Sequence, residues 1–436
     1  MKVWKFGGTS VGSAQRIKNL PALIHNGEPK IVVLSAMSGT TNALVKIGER
    51  LYAKDGAGAE QLIGELETKY HNVLHELYAT ENARAKAAIF VEGRFEQVRG
   101  LAKKRFNLRR EKELLAEGEI LSTHLVQYYL EEIHVPSVLL SALDFMLIDE
   151  NDEPDLDYLA RNLRAEMAKH PHQPLFLTQG YICLNADGEV DNLKRGGSDY
   201  TASLVGAAIM AEEVQIWTDI DGMHNNDPRI VDRTQPVAEL TFDEAAELAY
   251  FGAKILHPQS VNPARLKKIP VRLLNTMAPE MPGTVIHEHT ARAGIKAVAA
   301  KDGITAIRIQ SGRMLLAYGF LKRLFEVFEK YKTPIDMVTT SEVGVSVTID
   351  QTTHLGAIVQ ELAEFSHVEV DQEQTIVCIV GDMGGHSSLP RVFAALEGIP
   401  VRMVSYGGSP NNVSLLVGTA HKVAVLRALN HGLFGL

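Results

Sequence analysis

Lys5-Phe6-Gly7-Gly8-Thr9-Ser10 joins a β-forming run to a helix-forming one. Paired glycines let the backbone approach a ligand closely, and N–H groups at a helix N-terminus attract anions. A lysine one strand step earlier adds positive charge, so the segment reads as a phosphate cradle. It is neither a Walker A loop, whose lysine follows the glycines, nor a GxGxxG dinucleotide fingerprint. Arg195-Gly196-Gly197-Ser198-Asp199 is a second such element, followed by a small-residue helix over 200–211. Arg195 can grip a carboxylate through two parallel hydrogen bonds. Ser198 or Asp199 can cap the helix, and a cap oxygen can also face a ligand ammonium. Trp217-Thr218-Asp219-Ile220-Asp221-Gly222 closes a strand in acids, at the end where α/β folds bind ligands. Ribose hydroxyls, Mg²⁺ held through water, or a plain Asx-turn all suit those carboxylates. Asp227-Pro228-Arg229 follows in a loop, Phe251-Gly252-Ala253-Lys254 sets another lysine after a glycine, and Gly118-Glu119 interrupts a helical stretch with an acid. The pairs His170/His172 and His287/His289 lack further nearby ligands and read as surface histidines.

Elements that would position these residues alternate over the first 290 residues. β-rich runs occupy 3–6, 31–34, 136–140, 175–178, 214–218 and 269–274. Between them lie helical patterns: Ser13 as cap ahead of Ile17, Leu20 and Ile24, a long block over 57–132, and a helix over 257–267. The strand at 31–34 is apolar throughout, as when both faces are covered. This alternation predicts a three-layer α/β domain with a mostly parallel sheet over residues 1–290. Prolines and glycines place a boundary near 288–300. In the remainder, residues 291–436, Pro334–Val338 recurs as Pro400–Val404, 66 residues on, and Val345–Val347 as Val413–Leu415. A helix stands ahead of each copy and a β-ending behind it. Two units are too few for a solenoid and suggest paired βαβ-type modules, over about 312–368 and 372–436, with the strand near 295–310 joining the second.

Composition narrows the function. The 436 residues carry 44 Lys+Arg and 53 Asp+Glu, a net charge of −9, which argues against a nucleic-acid partner. The basic cluster Lys103-Lys104-Arg105 with Arg109-Arg110 has no aromatic platform and reads as a solvated helix face. Cys183 and Cys378, both in β-like runs, exclude a disulfide scaffold and a Cys-rich metal site. No apolar run approaches the roughly 18 residues of a membrane helix, and no signal-peptide pattern opens the chain. A soluble, cytoplasmic, multidomain protein is expected.

Taken together, KFGGTSVGS (residues 5–13), VVLSAMSGTTN (32–42), RGGSDYTA (195–202), WTDIDG (217–222) and FGAKILHP (251–258) resemble the aspartate kinases of the amino acid kinase fold, in the family's order. The tail, with Gly319-Phe320-Leu321 and residues 338–343, resembles their tandem ferredoxin-like ACT modules. The resemblance implies ATP-dependent phosphorylation of the L-aspartate side chain with Mg²⁺. Lys5, Lys254 and Asp199 would be catalytic. Ser35, Thr41, Glu119, Arg195, Gly196, Gly197 and Ser198 would bind substrate, with Glu119 and Asp199 receiving its ammonium. Gly7, Gly8, Thr9, Thr218, Asp219, His224 and Arg229, with both lysines, would hold ATP. His224 departs from the family, which usually has Tyr there. Met314, Gly319, Phe320, Leu321, Asp336, Thr340, Ser341 and Glu342 match the lysine-sensing subgroup, implying inhibition by an end-product amino acid, although Ala317 replaces a polar residue. Asp336 is read either as holding a ligand ammonium or as a surface acid. A homodimer through the ACT modules is implied. Another amino acid kinase, glutamate-type, or a non-catalytic sensor of the same fold are the competing readings.

Overall fold

The buried residues Val3, Trp4 and Phe6 lie on β1 (Lys2–Phe6), which the Gly7-Gly8 turn joins to α1 (Ala14–Ile24). The computed structural model describes residues 1–193, 196–252, 256–290, 294–311, 318–385 and 388–436. Ser13 caps α1 through the Arg16 N–H, and Ile17, Leu20 and Ile24 are buried, as their spacing requires. β2 (Lys30–Leu34) is buried along its whole length. α2 (Thr40–Tyr52) follows, in a stretch where no element was expected, because the left-handed Gly39 turns the chain into it. The long helical block resolves into α3 (Gly56–Leu77), α4 (Glu81–Ala102) and α5 (Leu108–Glu132).

Next come β3 (Val138–Leu140), α6 (Leu156–Ala168), β4 (Leu175–Gln179), the hairpin β5 (Ile182–Leu184) and β6 (Val190–Asn192), α7 (Gly197–Ile209) and β7 (Val214–Thr218). β8 (Glu239–Thr241) and α8 (Phe242–Tyr250) precede α9 (Asn262–Leu266), β9 (Val271–Asn275) and β10 (Thr284–His287). β3 and β9 start later than expected, because Pro136 and Pro270 have no N–H to give a ladder. The helix expected over 257–267 is shorter, since a 3₁₀ turn, Pro258–Val261, takes its first half.

Two compact units result: Met1–Met223 with Ile255–His289, and His224–Lys254 with Thr290–Leu436. The first unit's last segment ends at His289 and the second unit resumes at Thr290. The chain also leaves and re-enters the first unit around residues 224–254, which a linear split at 290 misses. The reason is packing: Val231 shares a buried cluster with Val298, Val377 and Leu426, and Lys296 pairs with Glu244 at 2.7 Å.

Within the first unit β3-β4-β2-β1-β7-β9 run parallel and β10 returns antiparallel on β9. The order switches sides at β1, so a crevice opens at the carboxyl ends of β1 and its neighbours. α5 passes through Gly118-Glu119 without interruption, contrary to the sequence reading. Gly118 serves close approach instead, since a Cβ there would meet the Ala36 Cβ at 2.9 Å.

The second unit holds a six-stranded antiparallel sheet, carried by β11 (Ile295–Gln310) and β14 (His367–Gly381) at its centre. α10 (Phe320–Lys330), β12 (Val338–Thr340), β13 (Gly344–Ile349) and α11 (Leu355–Ala363) lie between these two strands in the chain. α12 (Ser388–Ala395), β15 (Met403–Tyr406), β16 (Asn412–Gly418) and α13 (Lys422–Phe434) follow them. The repeat is therefore real, with one difference. β13 and α11 are followed by a strand, but β16 is followed by α13, and the first half of β11 stands in for the missing strand. The strand at 295–310 does not join the second module alone, because its later half pairs with β13 in the first.

Gly118→Ala should lower stability by about 1–3 kcal/mol through overpacking against Ala36, read by chemical denaturation. An increase, the usual result of Gly→Ala in an open helix, would refute the close approach.

Candidate active site

Lys5 sits next to last on β1, flanked by Val33 and Ile216, and points to the crevice at the switch point. Its Nζ lies 2.6 Å from Oδ1 of Asp199 in the first turn of α7. The side chains are 12 % and 16 % exposed, so each largely neutralises the other out of bulk water. The contact is one of charge, since that oxygen makes no aligned hydrogen bond. Asp199 is not the helix cap. Gly196, left-handed at φ 77, takes that position with no side-chain cap, which leaves the carboxylate free to work at the helix N-terminus.

Backbone closeness shapes the phosphate loop. The Gly7 N–H donates to the Trp217 carbonyl at 3.1 Å, and the Gly8 carbonyl accepts from the Ser38 N–H at 3.1 Å. A Cβ on Gly8 would lie 2.8 Å from the Ala36 carbonyl oxygen, so only glycine fits. The Arg16 guanidinium holds the Thr9 carbonyl. The Ser35 N–H donates to the Phe6 carbonyl at 3.2 Å, binding the loop after β2 to the end of β1.

These loops enclose a cavity of about 350 Å³ lined by Lys5, Gly8, residues 35–39, Thr41, Asn42, Glu119, Tyr181 and residues 196–198. Glu119 is buried; Oε1 accepts the Ala36 N–H at 3.1 Å, while Oε2 has no partner. Burial pushes its carboxyl up to about 8. A buried, half-satisfied acid facing a cavity is the arrangement that a ligand ammonium completes. Tyr181 adopts φ 68, its N–H donating to Thr201 Oγ1 at 2.9 Å, and burial pushes its phenol up to about 12.

The structure thus gathers Lys5, Gly8, Ser35, Thr41, Glu119, Gly196, Gly197 and Ser198 around one cavity, with Asp199 on Lys5. Sequence reasoning passed over Tyr181 and gave no role to Ala36, Met37, Ser38, Gly39 and Asn42, although they lie in the quoted run at 32–42. Tyr181 had a signal: it follows Gly180 directly after β4, at the carboxyl end of a sheet strand, where α/β folds bind ligands. Thr218 and Asp219 end β7 on the same sheet edge without lining the cavity; the Thr218 hydroxyl donates to Asp219 at 3.1 Å. Arg195, Lys254 and Met314 lie outside the described residues. His224 and Arg229 belong to the second unit. There His224 Nδ1 is 2.7 Å from the Thr234 hydroxyl, and the exposed Arg229 clasps Asp227 at 2.7 and 2.9 Å.

Among the expected effector residues, Gly319 is the left-handed cap of α10, Phe320 meets the Phe365 ring edge-on at 5.8 Å, and Leu321, Thr340, Ser341 and Glu342 are exposed. Asp336 is no surface acid. Its carboxylate is 1 % exposed, 3.0 Å from Lys301 Nζ, and accepts the Tyr250 hydroxyl at 2.6 Å. Lys301 also pairs with Asp350 at 2.9 Å and lies 4.3 Å from the Tyr250 ring centroid. The ammonium at Asp336 is therefore the chain's own, although Oδ2 remains unpartnered. Among the described residues no cluster of three His, Cys, Asp or Glu could hold a metal, and no helix is long and apolar enough to cross a membrane.

Residues 1–275 match the amino acid kinase family and residues 377–433 an ACT domain. The chain is 35 % identical to aspartokinase 1, chloroplastic, of Arabidopsis thaliana, over 99 % of this chain and 80 % of that one. It is 32 % identical to the lysine-sensitive aspartokinase 3 of Escherichia coli K12, over 99 % of both. The structure of E. coli aspartokinase III in complex with aspartate and ADP superimposes with a TM-score of 0.83 at 31 % identity, covering 100 % of each chain.

Glu119 gives the free protein a pH signature. Between the ordinary carboxyl value of 4.5 and about 8 the folded chain holds a proton that the unfolded chain has lost. Stability should therefore fall as pH rises through that window, by at most about 1.4 kcal/mol per unit. Glu119→Gln should flatten the slope in denaturation series from pH 5 to 8; equal slopes would refute the protonated, buried acid.

Proposed function

The chain belongs to the amino acid kinase family and, within it, to the aspartokinases, and we propose how its residues divide the work of phosphorylating the L-aspartate side chain with ATP to give 4-phospho-L-aspartate. The observation that carries the reading is one cavity holding a half-satisfied buried acid, Glu119, beside the Lys5–Asp199 pair. The acid is complementary to an α-ammonium, and the lysine to an incoming phosphate. The acceptor carboxylate ionises near pH 4 (about 3.9 unperturbed), so it reaches the site as a nucleophile and no general base is needed. The barrier is repulsion between anions, which calls for positioning and charge neutralisation.

In this reading Glu119 and Asp199 receive the ammonium, and Arg195 grips the α-carboxylate. Ser35, Thr41, Gly196, Gly197 and Ser198 shape the pocket around the side chain. Lys5 and Lys254, with the N–H groups of Gly8 and Thr9, neutralise the transferring phosphoryl group, Gly7 shapes the loop that presents them, and Thr218, Asp219, His224 and Arg229 surround the nucleotide. Mg²⁺ suits a site with few carboxylates, because it is bound largely by phosphate oxygens and water, and Asp219 offers one protein oxygen. When bound it would add positive charge between the phosphates.

Inhibition by lysine is the regulatory part of the proposal, supported by the likeness to a lysine-sensitive relative and by the free Oδ2 of Asp336. An effector ammonium there uses that oxygen or displaces Lys301. Assembly as a cytoplasmic homodimer through the ACT modules belongs to the same reading, supported by the exposed apolar side chains of Leu321, Phe325 and Val343.

Trapping the acyl phosphate with hydroxylamine, with aspartate, with glutamate and without acceptor, tests the activity; aspartate alone should give product. Lys5→Ala should lower kcat by at least about 100-fold with the fold intact by circular dichroism. Wild-type turnover in that variant would remove the clamp. Lysine, and not threonine, should inhibit the purified enzyme, and Asp336→Asn should weaken that inhibition; insensitivity to both amino acids would leave the tail an assembly module.

A further inference from the structure

The turn at residues 38–40 lies between the phosphate loop and α2. Ser38 is held to Gly8 by its N–H, the Thr40 N–H donates to the Met37 carbonyl at 3.0 Å, and the Thr40 hydroxyl lies 3.1 Å from that of the fully buried Tyr70. The remaining tie is a charge. Lys69, beside Tyr70 on α3, donates from Nζ to the Ser38 carbonyl at 2.6 Å and to Thr40 Oγ1 at 3.5 Å. Lys69 is half-buried, and no carboxylate lies within ion-pair distance of it among the described residues. Desolvation accordingly lowers its pKa from the usual lysine value, with no acid nearby to oppose the shift.

An ammonium drawn partly out of water with only a carbonyl and a hydroxyl as partners is an uncompensated cost. Its location supplies the compensation. Ser38 and Gly39 line the cavity, and a Cβ on Gly39 would stand 3.8 Å from Lys69 Nζ. The charge therefore lies against the wall of a cleft that must accept two anionic reactants, where low-dielectric walls focus the field of an unpaired cation. A merely structural staple would need no charge. A neutral donor could satisfy the same carbonyl without the desolvation.

We propose that Lys69 is a positioning residue for phosphorylation of aspartate, fixing the Ser38–Thr40 turn and lending its positive charge to the binding of the anionic substrate. The inference rests on the reading of this cavity as the substrate site. Steady-state kinetics and thermal melting of Lys69→Met, Lys69→Gln and Lys69→Arg test it. Methionine should raise KM for aspartate about tenfold while kcat changes less than about threefold, and added salt should narrow the gap to wild type. Arginine should bring KM back to within about twofold of wild type. Glutamine, which keeps a donor without the charge, should behave like methionine and stands in for it should the apolar variant fail to fold. A lowered melting temperature with unchanged KM, or full function in Lys69→Gln, overturns the proposal. A wild type that does not turn over aspartate overturns the cavity reading together with it; an active wild type beside unaffected variants overturns the role of Lys69 alone.

Discussion

Everything at the centre of this molecule answers one electrostatic problem: a carboxylate must be pressed against a polyphosphate. In the proposed reading the protein meets it with a cation carried on a strand that is paired on both sides. Lys5 is seated between β2 and β7 in a parallel sheet, with Trp4 and Phe6 locked in the core beneath. In the free chain its charge is held by Asp199, so the ammonium is neither solvated nor idle. The fold then stacks the ends of β1, β2 and β4 around that nitrogen, and a long helix brings in the acid at Glu119. Burial raises the carboxyl of that acid to about 8, and its second oxygen is unpartnered, so in the proposed reading a ligand ammonium would complete it. The cavity is thus pre-arranged in geometry, with one buried oxygen of Glu119 left unpartnered.

What could be read in advance divides along physical lines. Positions at strand ends were legible, because glycine pairs and a lysine one step upstream are local signals: Lys5, Gly8 and Ser198, which line the cavity, and Asp199, which pairs with Lys5, were singled out this way. The capping alternative for Asp199 was equally local and lost to Gly196, whose left-handed backbone does the work without a side chain. Residues that matter through close approach were read wrongly or passed over. Gly118 looked like an interruption and is instead the point where α5 grazes Ala36. Tyr181 carries no motif of its own, and the 37–39 turn lies inside the quoted run at 32–42 without a residue type that marks it as a wall of the cavity. Asp336 shows the limit most plainly. Nothing local tells whether an acid before a strand faces water, and here Lys301, from a distant strand, and Tyr250, from a segment nearly ninety residues earlier, bury it.

Domain limits followed the same rule. A proline- and glycine-rich stretch signals a crossing in the chain, and the second unit resumes at Thr290. The excursion over 224–254 reads as one more strand–helix pair, and only its packing of Val231 and Glu244 against residues of the later chain reveals which unit it serves. Periodicity reports that a face is buried and is silent about the partner.

The two ACT modules hold their long strands in common. β11 and β14 run 16 and 15 residues and each contributes one half to either module, paired along nearly their whole length. Neither module therefore possesses a complete sheet of its own. A protease cut or deletion that frees one module strips two strands from the other, so the pair must be inherited, exchanged and melted as a single piece.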